Sequence, residues 1–126
     1  MSHHHMKEAM HHMENIVAGH LDAWNAPAGP DRTQLIASLY APDVFVGEPQ
    51  EAMRGHDGME QAIARLQAQL PRTRITRSGP IQVAQDMVTY RWSLGAEDGP
   101  AVAAGRDVLI VGGGKVTRLY VVIDAS

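Results

Sequence analysis

Leu39-Tyr40-Ala41-Pro42-Asp43-Val44-Phe45-Val46-Gly47-Glu48-Pro49 carries a helix end, a turn, a strand and the head of a loop in one short stretch. Proline cannot continue the helical hydrogen-bond ladder, so the helix that turns Leu35, Ile36, Leu39 and Tyr40 inward is expected to stop at Pro42. Asp43 suits the turn that follows. Val44-Phe45-Val46 is a run of β-formers, and Gly47, Pro49, Gly55 and Gly58 give the next segment the chemistry of a loop. Glu48 stands where strand gives way to loop, so an ionisable group lies hard against an apolar segment.

Upstream, Met6, Met10, Met13, Ile16/Val17, His20/Leu21 and Trp24 recur every three or four residues, with Lys7, Glu8, Glu14, Asn15 and Asp22 between them. That spacing predicts an amphipathic helix, stopped by Pro27 and Pro30. Asp31 with Gln34 reads as a capping box for the next helix. Downstream, Asp57 with Glu60 reads as a second one, opening a helix with Met59, Ile63, Leu66 and Leu70 on its inner face and Pro71 at its end. Beyond residue 72 the texture becomes that of strands: Arg74-Ile75-Thr76, Ile81-Gln82-Val83, Val88 to Leu94, Val102 to Val111 and Val116 to Ile123. Turn residues at Ser78-Gly79-Pro80, Glu97-Asp98-Gly99-Pro100 and Gly112-Gly113-Gly114 separate them. Helices first and antiparallel strands after is the order of an α+β domain, and no internal repeat is visible.

The 126 residues are 44% hydrophobic and 20% charged, which suits one globular core. Met1-Ser2-His3-His4-His5 reads as a tag-like or disordered extension (1–5), and residues 6–126 as a single domain. With 11 basic against 14 acidic residues and no Lys/Arg run, nucleic acid is not an expected partner. No apolar stretch is long enough to span a membrane and no secretion signal precedes the domain, so a cytoplasmic location is expected. The absence of cysteine excludes disulfides, Cys-based zinc sites and thiol nucleophiles. Five of the seven histidines fall before residue 13 and lack a carboxylate cluster at fixed spacing, so no metal site is expected. Gly112-Gly113-Gly114 is a hairpin turn without the strand-loop-helix context of a phosphate cradle, and no cofactor is expected.

Three ionisable groups interrupt apolar stretches: His20 in the helical stripe, Glu48 after Val46, and Asp107 ahead of Val108-Leu109-Ile110-Val111. Burying such groups is costly unless they are paired or neutralised, which points to a pocket with chemistry in it. Strand alternation sends Arg106 and Asp107 to opposite faces, with Leu109 and Val111 on the side of Asp107. Each residue also has a plainer reading: His20 as a core histidine bonded to Asp107 or a backbone carbonyl, Glu48 as a solvated loop side chain, Asp107 as a strand-edge ion pair.

Several segments together resemble the nuclear transport factor two-like superfamily, which holds ketosteroid isomerase and the SnoaL-like polyketide cyclases. They are His20 to Ala26, Leu39 to Pro49, Gly55-His56-Asp57-Gly58, Gly105-Arg106-Asp107-Val108 and Gly114-Lys115-Val116. The resemblance implies a cone-shaped, curved sheet, antiparallel with some mixing, wrapped around the N-terminal helices as a barrel-like roll with a cavity. Glu48 before Pro49 matches the catalytic base of ketosteroid isomerase. Asp107 matches its late-strand carboxylic acid, and also the acid/base aspartate of the SnoaL-like cyclases. His20 stands where the isomerase carries a tyrosine.

On that likeness Glu48 would remove a proton next to a carbonyl, while a protonated Asp107 and a neutral His20 hold the enolate oxygen, as the base and the two donors of ketosteroid isomerase do. Trp24, Phe45, Tyr90, Trp92 and Leu109 are the candidate substrate contacts, for a small apolar or carbonyl-containing molecule. Tyr90 and Trp92 also fit the reading of cavity wall or sheet packing.

Three function classes follow. One is a proton-transfer enzyme, isomerase or aldol-type cyclase, and another is a non-catalytic binding or dimerisation module. The third is an epoxide hydrolase of the limonene type, which needs an Asp-Arg-Asp set where this chain has Gly105 and Val121 in place of the Arg and the second Asp. A homodimer is expected through an apolar sheet face made by Val108, Ile110, Leu119 and Val121.

Overall fold

The computed structural model describes the backbone of residues 3–125 and the side chains of residues 8–125. Helix α1 spans His3–Asn25 and buries Met13, Ile16, Val17, His20, Ala23 and Trp24 along one stripe. Met10 is exposed, so the apolar spacing outruns the packing by about a turn. The expected tag-like segment falls partly outside the described residues, and the helix takes in His3 to His5.

Helix α2, Pro30–Leu39, begins one residue before the expected cap. Gly29 is its N-cap and no side chain caps it, which leaves Asp31 in the first turn. Proline at the first helical position has its φ preset and lacks an N–H that would go unpaired anyway, so the start falls there. The helix also ends at Leu39 rather than Pro42: Ala41, the residue before the proline, is disfavoured in the α region, and Tyr40 is already extended as the C-cap. Tyr40 therefore opens strand β1, Tyr40–Gly47. Pro42 is tolerated within β1 because the register against β7 (Lys115–Ile123) shifts between Tyr40 and Phe45.

The expected loop after β1 contains a short strand, β2 (Ala52–Arg54), antiparallel to β1 and closed by the Glu48 N–H donating to the Glu51 carbonyl at 2.8 Å. Helix α3, Gly55–Gln69, follows without a side-chain cap, so Asp57 belongs to its first turn and caps nothing. Strands β3 (Arg74–Arg77), β4 (Gln82–Ala84), β5 (Met87–Gly95) and β6 (Ala101–Gly112) precede β7. The sheet runs β2-β1-β7-β6-β5-β3, with β4 also on β5. β1 and β7 are parallel and the other pairs antiparallel, giving a curved, mixed, open sheet rather than a closed barrel.

The inner face carries Val44, Val46, Val88, Tyr90, Leu109, Val116 and Leu119, fully buried against Ile36, Met59 and Ile63 of the helices. Each such side chain contributes about 1.5–3 kcal/mol relative to exposure. Cross-strand partners fix the opposite face: Thr89, Val108 and Tyr120 form one row, Arg91, Arg106 and Val122 the next. Phe45 pairs with Arg118 and Arg54, and both guanidinium carbons lie 5.3 Å from its ring centre, so Phe45 belongs to that outer face. Of the expected interface residues, Leu119 is core and Val121 points inward; only Val108 and Ile110 are on the outer side. The register shift between Ile110 and Val111 and the parallel pairing with β1 set this parity for β7. Among the described residues no helix is long and apolar enough to cross a membrane.

Candidate functional site

Asp107 lies in the middle of β6, opposite Tyr90 of β5 and Val121 of β7. Direct cross-strand partners share a face, which sets the Tyr90 hydroxyl beside the carboxylate. Tyr90 donates to Asp107 Oδ2 at 2.7 Å. From α1, His20 Nε2 meets the same oxygen at 3.0 Å, and His20 Nδ1 meets the Tyr40 hydroxyl at 2.5 Å. All four residues are buried.

The proton inventory of this chain has one simple solution. Oδ2 accepts from Tyr90 and from His20 Nε2–H, and Nδ1 then accepts from the Tyr40 O–H. Burial pushes the Tyr40 and Tyr90 hydroxyls well above the usual phenol range and the Asp107 charge adds to both, so both keep their protons. Asp107 Oδ2 is therefore an acceptor, and the Oδ2 contacts leave the other oxygen, Oδ1, as the one that can meet a ligand. His20 has both ring nitrogens engaged inside the protein, as in its plainer core reading. Among the described residues Asp107 Oδ1 has no hydrogen-bond partner. Arg106 lies on the other face and donates to Thr89, so it forms no ion pair with Asp107.

Glu48 follows β1 and is half-buried. Burial raises its pKa from the usual carboxylate range, and the Arg65 guanidinium, 3.7 Å away, pulls it back part of the way. Arg65 of α3 is shared, because it also pairs closely with Glu51. The solvated-loop reading of Glu48 does not describe this position.

Glu48 and Asp107 line one apolar cavity of about 70 Å³ with His20, Trp24, Leu66, Ile75, Trp92, Leu94, Val121 and Ile123. The volume suits a small ligand or the reacting end of a larger one. Of the expected contacts, Trp24 and Trp92 are cavity wall. Tyr90 is spent on Asp107, Leu109 is packed in the core, and Phe45 is on the far side of the sheet. Among the described residues the indole N–H groups of Trp24 and Trp92 are buried without an acceptor. An unsatisfied buried donor of this kind costs about 1–3 kcal/mol.

A Cβ on Gly105 would meet the Val122 carbonyl oxygen at 2.0 Å and Trp92 Cζ2 at 2.7 Å. No arginine fits there, which removes the water-activating set of the epoxide hydrolase. Sequence reasoning missed three contributors: Tyr40 as the partner of His20, Arg65 beside Glu48, and buried Arg32. Arg32 donates to Glu60, Gln67 and the Ala26 carbonyl and so ties α2 and α3 to the chain just beyond α1. A signal for Tyr90 was present in its sharing a strand face with Trp92; none marks Arg65.

The SnoaL-like domain matches residues 17–119. No curated protein matches the sequence. Among solved structures, a candidate isomerase of the SnoaL-like family from Agrobacterium tumefaciens superposes with a TM-score of 0.84 at 23% identity, over 90% of this chain and 98% of that one. A candidate SnoaL-like polyketide cyclase from Jannaschia gives 0.72 at 18%, over 90% and 85%. A protein of ketosteroid isomerase-like fold from Catenulispora acidiphila, in complex with trimethylamine, gives 0.67 at 21%, over 84% and 82%.

Proposed function

The chain belongs to the SnoaL-like domain family, and from that premise we propose that it is an acid/base enzyme acting on a small carbonyl compound, an isomerase or an aldol-type cyclase. One observation carries the reading: two carboxylates from separate elements, Glu48 after β1 and Asp107 within β6, face the same small apolar cavity. Glu48 is the base. Its burial-raised pKa brings it toward the operating pH, where a carboxylate combines basicity with a useful ionised fraction. It takes the proton from the carbon next to the carbonyl and leaves an enolate. It then returns that proton, either to another carbon of the conjugated system or to the alkoxide formed when the enolate attacks a second carbonyl. Asp107, held through Oδ2, offers Oδ1 to a hydroxyl of the substrate and fixes its orientation.

The test is deuterium exchange of α-protons in a panel of cyclic ketones, followed by NMR. Exchange in the wild type that drops about 100-fold or more in Glu48→Gln supports the reading. Equal exchange in both, or none in either, overturns it. Cavity resonances that shift with ligand in the absence of exchange would make the protein a binding module of the same fold. We propose also that it acts as a homodimer.

A further inference from the structure

An enolate oxygen needs a donor, and the hydroxyl and ring N–H groups around Asp107 are already engaged with one another. Both His20 nitrogens are engaged, Asp107 Oδ2 accepts, and the Tyr40 and Tyr90 hydroxyls donate inside the network. Of the cavity wall, Leu66, Ile75, Leu94, Val121 and Ile123 have no polar side chain. Two indole N–H groups remain, both buried and, among the described residues, without an acceptor. The Trp24 ring centre lies 5.8 Å from that of His20, so Trp24 belongs to the network side of the cavity. Among the described residues Trp92 has no such neighbour.

Trp92 is seated by its cross-strand partner. It pairs with Gly105, and the missing Cβ there leaves room for Cζ2, next to the ring carbon that bears Nε1. The ring lies two residues along β5 from Tyr90, on the same face, as Gly105 lies two residues along β6 from Asp107. Trp92 is one of the side chains that line the cavity.

We propose that the Trp92 indole N–H is the hydrogen-bond donor for the carbonyl oxygen of the substrate and for the enolate oxygen that develops from it. The ligand class is thus one that presents an acceptor oxygen at the end of a small apolar body. Ketones, enolates and phenolates qualify. The catalytic part rests on the proton-transfer reading above; the binding part does not.

The chain has two tryptophans, so a ¹⁵N-labelled sample shows two indole signals, assigned with Trp24→Phe. Substituted phenols, whose oxygen imitates an enolate, are titrated into the full-length protein. The expected result is a downfield shift of the Trp92 indole proton that grows with the basicity of the phenolate. Failure of every phenol to bind, or binding that shifts the Leu94 and Val121 methyl signals and leaves that proton in place, overturns the proposal.

Trp92→Phe keeps most of the ring and deletes the donor. It should lower the rate constant for α-proton exchange about 100-fold, as removal of one oxyanion donor does, with a smaller change in KM. Full exchange in Trp92→Phe refutes the donor and leaves Glu48 as base. Absence of exchange in the wild type, with the phenol shift present, refutes the reaction and keeps the oxygen subsite.

Discussion

Glu48 is balanced between burial and Arg65, and Arg65 is divided between Glu48 and Glu51. Removing the guanidinium in Arg65→Met takes away the influence that lowers the Glu48 pKa, so the acid limb of the pH–rate profile should move to higher pH. Glu51→Gln deletes a neighbouring negative charge and leaves Arg65 to Glu48 alone, so the limb should move to lower pH; unchanged profiles in both variants would disprove the coupling. Stability follows with a defined sign. A carboxyl whose pKa is raised on folding stabilises the native state below its unfolded pKa, and that contribution is lost as pH rises through the folded one. Glu48→Gln should therefore flatten the fall in stability with rising pH in that window, read by urea unfolding. At Asp107 the count is of donors: Tyr90→Phe leaves Oδ2 with His20 alone and should cost about 1–3 kcal/mol, measured the same way. The pairing of His20 with Asp107 was one of two readings open from sequence. The commitment of Tyr40 and Tyr90 was not legible, because a hydroxyl finds its acceptor through cross-strand register, which one sequence does not print.

Long strands were legible in this chain because alternation over many residues leaves one answer: β5, β6 and β7 lie within a residue or two of their expected limits. β2 was not, since three residues, Ala52-Met53-Arg54, are too few to show a period and sit among turn formers. Both capping boxes failed for one physical reason, a competing local rule. Pro30 claimed the first position of α2, and the hairpin through Arg54 fixed where α3 begins. Gly105 shows what the sheet demands of one position. Its missing side chain admits the Trp92 ring and lets the Val122 carbonyl approach, and a strand carbonyl held in a ladder cannot retreat as a flexible side chain would. Gly105→Ala should cost about 3 kcal/mol or more in urea unfolding and disturb the indole signal of Trp92. A variant of wild-type stability would mean that the strands slide apart at little cost.

At the scale of the whole molecule the outer sheet face remains. Tyr120 and Val122 are exposed there, Val108 and Ile110 are half-covered, and Phe45 is stacked between Arg54 and Arg118 with the Tyr120 ring 5.7 Å away. The sequence pointed to a sheet face as the contact with a second copy but chose two of its four residues from the wrong side, because a bulge between Ile110 and Val111 breaks simple alternation. With Leu119 and Val121 committed to core and cavity, a contact with a second copy would fall to Tyr120 and Val122. An apolar patch of this kind on a sheet that is otherwise well packed is a liability unless covered, and a second copy presents the same patch in a self-complementary arrangement. Multi-angle light scattering should then give a dimer at micromolar concentration. Tyr120→Glu combined with Val122→Glu should give a monomer with an unchanged circular dichroism spectrum, since neither side chain enters the core. The arginines flanking Phe45 would draw the new carboxylates onto the same surface, so the monomer should also be more soluble than the parent. A wild-type protein that stays monomeric across that range would rule out the dimer, and the patch would then have to be covered by something other than a second copy.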